Sequence, residues 1–276
     1  MKNANIPVWS IASVHSYIIN KAFAVTLAPI QARNLHSQVY LRLKSALITG
    51  NFAPGEVLLI RDLAEQLGTS PMPVRQALSR LVSEHALVED DKIRASVRVP
   101  MLSEDRFEEL RTVRKLVEAE AVALAATRAT PALVKKIRSL NAAVKRGVRD
   151  GNPTETIKAN SDFHFAIYAI AGNVILERTI ESLWLQSGPY FRMLIHRLFE
   201  GLESPETAET ASQGTAAALS RNDRIIAALE TNDAKEAREA LKEDIDRTAD
   251  FFLSLTELER NAPDERPSKK RRNKVF

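Results

Sequence analysis

Apolar side chains return at helical spacing from Asn34 onward. Val39, Leu41, Leu43, Ala46 and Leu47 mark a first helix that the pattern ends at Gly50, a residue suited to a left-handed C-cap. After the turn Ala53-Pro54-Gly55-Glu56, Leu63, Ala64 and Leu67 share one face of a short helix, and Val74, Leu78 and Leu81 share one face of the next. Only Gly68-Thr69-Ser70 separates these two helices. Gly68 permits a left-handed turn, Ser70 can cap the following helix, and Pro71 suits its first position, where a missing N–H costs nothing. Two helices joined so tightly form a helix-turn-helix. Residues 86–100, ALVEDDKIRASVRVP, then alternate apolar and polar positions around a charged tip and predict a two-stranded wing carrying Lys92, Arg94 and Arg98.

Beyond Arg98 the period changes for good. Ser103, followed by Glu104 and Asp105, starts a long helix whose apolar positions run from Phe107 through Leu110, Val117 and Ala121 to Leu124. Further helical patterns cover 131–149, 154–171, 174–187, 188–200, 215–231 and 233–255, and the polar stretch 201–214 reads as the longest loop. The expected fold is mainly α: an N-terminal winged helix-turn-helix with a small β wing over 34–100, then a C-terminal antiparallel all-α bundle of six or seven helices over 103–260.

Both ends look different. Residues 1–33 read as a poorly ordered leader, because His15 and Lys21 interrupt its apolar stretch well short of a membrane span; a secretory signal is the alternative. Residues 261–276 combine two prolines with Lys269, Lys270, Arg271, Arg272 and Lys274, a disordered, basic tail that can touch phosphates. No membrane association and a cytoplasmic location are expected.

Composition narrows the function classes. With 276 residues and no cysteine, the chain is neither a disulfide scaffold nor a Cys-ligated metalloprotein, and its length suits two domains. Its formal net charge of +4 conceals segregation: residues 1–100 carry +4, 101–261 carry −4 and 262–276 carry +4. A basic module joined to a larger acidic one is the pattern of a protein that meets a polyanion.

The candidate contacts follow. The second helix of the helix-turn-helix presents Ser70, Met72, Arg75, Gln76 and Arg80 away from the core. Arginine can give two parallel hydrogen bonds to guanine O6 and N7, so Arg75 is the candidate base reader. Arg61, at the start of the preceding helix, is placed for a phosphate or base edge, with Lys92 and Arg94 in the wing. A merely solvated basic face is the alternative, but turn, cap, wing and charge agree on double-stranded DNA.

These residues resemble a known family. The segment LRLKSALITGNFAPGEVLLIRDLAEQLGTSPMPVRQALSRLVSEHALVE is similar to the winged-helix domain of GntR-type bacterial transcription regulators, with its PG turn and L-A-x-x-L-G-x-S-x-x-P-V-R-x-A-L signature. The resemblance assigns DNA contacts to Arg61, Ser70 and Arg75. Two positions depart from the pattern: Pro71 stands where an arginine is usual, and Ala95-Ser96 stands for the wing's Arg-Gly, so Lys92, Arg94 and Arg98 are left to compensate through phosphates. The helical part resembles the effector-binding FCD domain of the FadR subgroup through R-K-L-V-E at 114–118, N-S-D-F-H at 160–164, A-G-N at 171–173 and the segment 224–237.

Many relatives in that subgroup hold a divalent metal with one Asp and three His. Carried across, the four positions are Asn160, His164, Asn222 and Asp244, so one ligand of four is unchanged. Amide oxygens serve zinc poorly, and a metal-free polar pocket is the preferred reading, with a divalent metal on these four residues as the alternative. His164 can equally be a core histidine. Arg114, with Asn160, His164, Asn222 and Asp244, is expected to bind a small carboxylate-bearing effector through a hydrogen-bond fork, or else to pair with Glu118 at i+4. Arg192 and His196, which follow Tyr190 and Phe191, are further candidates for the pocket lining. The resemblance implies a homodimeric regulator, commonly a repressor, acting on an inverted-repeat operator under effector control. An architectural DNA-binding protein and a metal-assisted enzyme are the competing classes.

Overall fold

The computed structural model describes residues 35–203 and 208–261. The leader (1–33) and the basic tail beyond Asn261 lie outside them. Nine helices and one small sheet make up the described residues.

Helix α1 (Leu35–Ile48) buries Val39, Tyr40, Leu43 and Leu47. Gly50 closes it at φ +66°, where its N–H bonds the Leu47 carbonyl and the Asn51 N–H bonds that of Ala46. This is the paired-bond cap that a left-handed residue allows. Strand β1 (Val57–Leu59) leads into α2 (Ile60–Gln66), and α3 (Pro71–Ser83) follows after Gly68, whose φ is +61°. Strands β2 (Val88–Glu89) and β3 (Ser96–Arg98) form the wing. β1 adds an antiparallel third strand that the pattern did not reveal, pairing Leu58 with Val97 in the order β1-β3-β2. Val74, Leu78 and Leu81 of α3 pack with Leu47 and Leu87 at the centre of this part.

Six helices follow: α4 (Glu104–Arg128), α5 (Pro131–Arg149), α6 (Pro153–Ile170), α7 (Val174–Glu203), α8 (Ala208–Glu230) and α9 (Ala234–Asn261). Side chains cap three of them: Ser103, Thr130 and Asn152 each accept the N–H three residues on. The turns 150–152 and 231–233 fold α5 against α6 and α8 against α9, and α9 lies along α4. The core gathers Val122, Ile137, Phe163, Ile167, Ile180 and Ile225.

Two expectations are corrected. Segments 174–187 and 188–200 form one helix with Pro189 inside it. Proline removes an intrahelical hydrogen bond, but α7 is held on both sides of it, by Leu185 in the winged-helix core and by Tyr190, Leu194 and Leu198 in an aromatic-rich cluster. The polar stretch 201–214 is also mostly helical: α7 runs to Glu203 and α8 starts at Ala208. Its Ala and Glu residues are good helix formers, and Ala211 is buried.

Candidate nucleic-acid interface and bundle cavity

The exposed face of α3 carries Ser70, Met72, Arg75, Gln76 and Arg80. Ser70 has the extended backbone of an N-cap, yet its hydroxyl makes no cap bond. Of the two helical N–H groups that a capping side chain can bond, the second and the third, one is missing, because Pro73 stands third in α3. Arg61 reaches into solvent from the start of α2, with Asp62 at 3.5 Å. Arg75 is exposed and, among the described residues, enters no ion pair. Arg80 is more constrained. Its guanidinium stacks 3.6 Å from the Tyr40 ring centroid, and its Nε donates to Glu84 Oε1 at 2.9 Å.

The wing tip is built on Asp90, whose Oδ1 accepts the N–H groups of Lys92 and Ile93 at 2.9 and 3.0 Å. Lys92 and Arg94 are exposed there. Arg98 departs from expectation. It turns inward, donating to the Gly55 carbonyl at 2.6 Å and pairing with Asp90, so it ties the wing to the PG turn and does not face outward as a phosphate contact.

In the bundle, α4 and α6 meet at a fully buried carboxylate. Glu118 Oε1 accepts Arg114 Nε at 2.6 Å; Oε2 accepts the Tyr168 hydroxyl at 2.6 Å and Trp184 Nε1 at 3.1 Å. Arg114 therefore makes the i+4 ion pair, and its Nη2 also points to Glu118, at 3.3 Å. Burial pushes the Tyr168 hydroxyl well above the usual tyrosine value, and the Glu118 carboxylate adds to the shift. Sequence reasoning missed Tyr168 and Trp184, although Tyr168 stands four residues after His164 and shares its face.

His164 lies beside this network, buried, with Nδ1 3.5 Å from the Tyr168 hydroxyl and Nε2 3.9 Å from Asp244 Oδ2. Asp244 Oδ1 accepts Arg221 Nε at 2.8 Å, an arginine that sequence reasoning also missed beside Asn222. Asn222 Nδ2 donates to Asn141 Oδ1 at 3.2 Å. A small cavity of about 30 Å³ brings Arg114, Asn160, His164 and Asp244 together. Asn160 and Asp244 also border a larger cavity of about 190 Å³, where Asn222 and Arg221 join them. The four expected ligand positions thus converge loosely, but a guanidinium already neutralises the carboxylate. Among the described residues no group of three or more His, Asp or Glu side chains is placed to hold a metal ion. One imidazole, one engaged carboxylate and two amides do not fit zinc. Phe191 lines both cavities, whereas Arg192 points the other way and donates to the Gly50 carbonyl at 2.9 Å; His196 lies outside both linings.

Comparison with known proteins agrees with this arrangement. Residues 35–97 match the family "Bacterial regulatory proteins, gntR family", and residues 109–247 match the FCD domain. The HTH-type transcriptional regulator McbR of Escherichia coli K12 is 32% identical over 210 residues, covering 76% of this chain and 89% of that protein. The chain belongs to the GntR family. As a GntR regulator it is a DNA-binding transcription factor with a C-terminal FCD domain. The solved structure of E. coli McbR/YncC matches with a TM-score of 0.70 at 30% identity, over 82% of this chain and all of that one. A GntR regulator from Rhodococcus sp. RHA1, at 21% identity and a TM-score of 0.59 over 79% of this chain and 97% of that one, shares the fold. No helix among the described residues of this GntR protein is long and apolar enough to cross a membrane.

Proposed function

We propose that this GntR protein is a homodimeric repressor of the FadR subgroup, acting in the cytoplasm on an inverted-repeat operator and released by a small carboxylate-bearing effector. Residues 34–100 read DNA, and residues 103–260 bind the effector and dimerise. Arg75 reads a guanine; Arg61, Ser70, Met72 and Gln76 complete the contact surface, Arg80 braces α3, and Lys92 and Arg94 approach phosphates. Two modules are needed because one alone rarely discriminates a genomic site.

One observation carries effector control: α7 has the cavity on one face and the DNA-reading module on the other. Phe191 and Leu194 line the cavity, while Gly188 and Arg192 touch the end of α1. A ligand that favours one position of α7 thereby favours one position of the winged helices, a coupling of about 1–3 kcal/mol. Asn160, Asn222 and Asp244 form the polar end of the effector site, and Arg114 and His164 its inner wall. The site binds without a metal and without catalysis, because its carboxylates are held by Arg114 and Arg221.

Duplexes enriched by the full chain from a random library test the reading. They should contain two inverted half-sites about one helical turn apart. Arg75→Ala should lose the preference at one position of each half-site, by roughly tenfold or more. Enrichment of no common sequence would refute operator recognition.

A further inference from the structure

The larger cavity, bounded by α5 to α9, has an apolar body and a polar end. Val144 and Val148 of α5, Leu198 of α7 and three phenylalanines, Phe191, Phe199 and Phe251, form the body. Asn160, Arg221, Asn222, Asp244 and Thr248 form the polar end, with Arg247 at its exposed edge. Its volume of about 190 Å³ is somewhat larger than the roughly 150 Å³ apolar cavity that takes up benzene in another protein. A ring with a short polar arm fits that size and a nucleotide does not; a sugar is disfavoured by the apolar body, which would leave its hydroxyls without partners.

The polar end still has hydrogen-bonding capacity. Arg221 spends only Nε, on Asp244, and its two Nη groups have no partner among the described residues. The Asn160 amide and the Asn222 Oδ1 likewise accept or donate no bond there, Asn222 using only its Nδ2. Arg114, by contrast, turns both Nε and Nη2 to Glu118. The free edge of Arg221 is therefore the available fork for a carboxylate. Charge sets how many carboxylates are tolerated. Arg221 and Asp244 cancel, as do Arg114 and Glu118, and burial keeps the His164 imidazole neutral by lowering its proton affinity. Arg247 supplies one surplus positive charge at the edge. A monoanion neutralises it, whereas a dianion adds an uncompensated charge among apolar groups, which is costly.

Resting on the effector site proposed above, we infer that the ligand class is an aromatic monocarboxylic acid, its ring among Phe191, Phe199 and Phe251 and its carboxylate on the Nη edge of Arg221. Calorimetric titration of the full chain with phenylacetate, succinate and benzyl alcohol tests this. Phenylacetate should bind at least tenfold more tightly than either of the others. Arg221→Gln should weaken it at least tenfold, and Ala218→Phe, which fills the cavity from α8, should abolish it while the chain still melts cooperatively. Preference for succinate would overturn the ligand class and leave the effector site standing. Binding of none of the three, or phenylacetate binding that both substitutions leave unchanged, would overturn the inference. Phenylacetate binding as expected with no change in operator affinity would support the ligand class and refute effector control instead.

Discussion

Gly188 of α7 lies against the main chain at the end of α1: a methyl group built on it would stand 2.3 Å from the Leu47 carbonyl oxygen and 2.7 Å from that of Ile48. The contact is reciprocal, since a methyl group on Gly50 would meet the Arg192 Cβ at 2.4 Å. The Arg192 guanidinium holds the Gly50 carbonyl, and Lys44 Nζ reaches Glu181 Oε2 at 2.6 Å. Two helices thus touch through their backbones at a place where each sequence supplies a glycine. Such a seam has no soft side chain to absorb a shift, so motion of α7 passes directly to α1 and the helix-turn-helix packed on it.

Substituting Gly188→Ala tests the seam. The new methyl group faces backbone on α1, which cannot swing aside as a side chain can, so overpacking should cost about 1–3 kcal/mol. Gly214→Ala is the control, because its methyl group would meet only Leu198 Cδ2, at an ordinary 3.6 Å. Urea unfolding should show a loss for Gly188→Ala and none for Gly214→Ala. Equal stability of the two variants would mean the seam yields easily and transmits little.

The Glu118 carboxylate offers a second test. Glu118→Gln leaves the Arg114 guanidinium inside the bundle without a counter-charge and should destabilise the chain by about 3–5 kcal/mol. Tyr168→Phe removes one of the hydrogen bonds to the same carboxylate and should cost about 1–3 kcal/mol. Denaturant midpoints that rank the two variants the other way would show that the hydrogen bond outweighs the ion pair.

The features legible in the sequence were local ones. Gly68, Pro71 and the spacing of Val74, Leu78 and Leu81 lie within one short segment, and so does the Arg114–Glu118 pair at i+4. The features that escaped depend on packing. Tyr168 and Trp184 reach Glu118 from 50 and 66 residues away, and nothing in the α4 sequence announces them. Nothing in the α8 sequence marks Arg221, whose partner Asp244 is brought beside it by α9. Arg98 was expected to face phosphates with Lys92 and Arg94, but β3 directs it towards the Asp90 carboxylate and the Gly55 carbonyl. Pro189 stands inside a helix although proline usually ends one, because the two cores gripping α7 outweigh that preference.

At the wing, the exposed residue Ala95 holds a left-handed backbone, φ +59°, while its carbonyl accepts the Ile60 N–H at 3.2 Å. That conformation costs a residue with a Cβ about 1–2 kcal/mol and glycine almost nothing, although glycine gains entropy in the unfolded chain. Ala95→Gly should therefore stabilise the protein, by up to about 1 kcal/mol. Thermal unfolding should show the midpoint rising by roughly 2–4 °C per kcal/mol for a chain of this size. A fall in the midpoint would mean that the strain is relieved by contacts of the Ala95 methyl group.

His164 makes stability depend on pH in a defined direction. Burial lowers its proton affinity below the usual histidine value; the Asp244 and Glu118 carboxylates oppose the shift and Arg114 reinforces it. Below about pH 6.5 the unfolded chain takes up a proton at this position that the folded chain refuses. The unfolded state then binds more protons, so stability falls as the pH drops from 6.5 and levels off once the folded imidazole is protonated too. Melting temperatures at pH 7.5 and 5.5 should differ less in His164→Gln, which cannot titrate, than in the unaltered chain. An identical acid-induced drop in both would assign the pH dependence to other groups and leave the buried imidazole without a part in it.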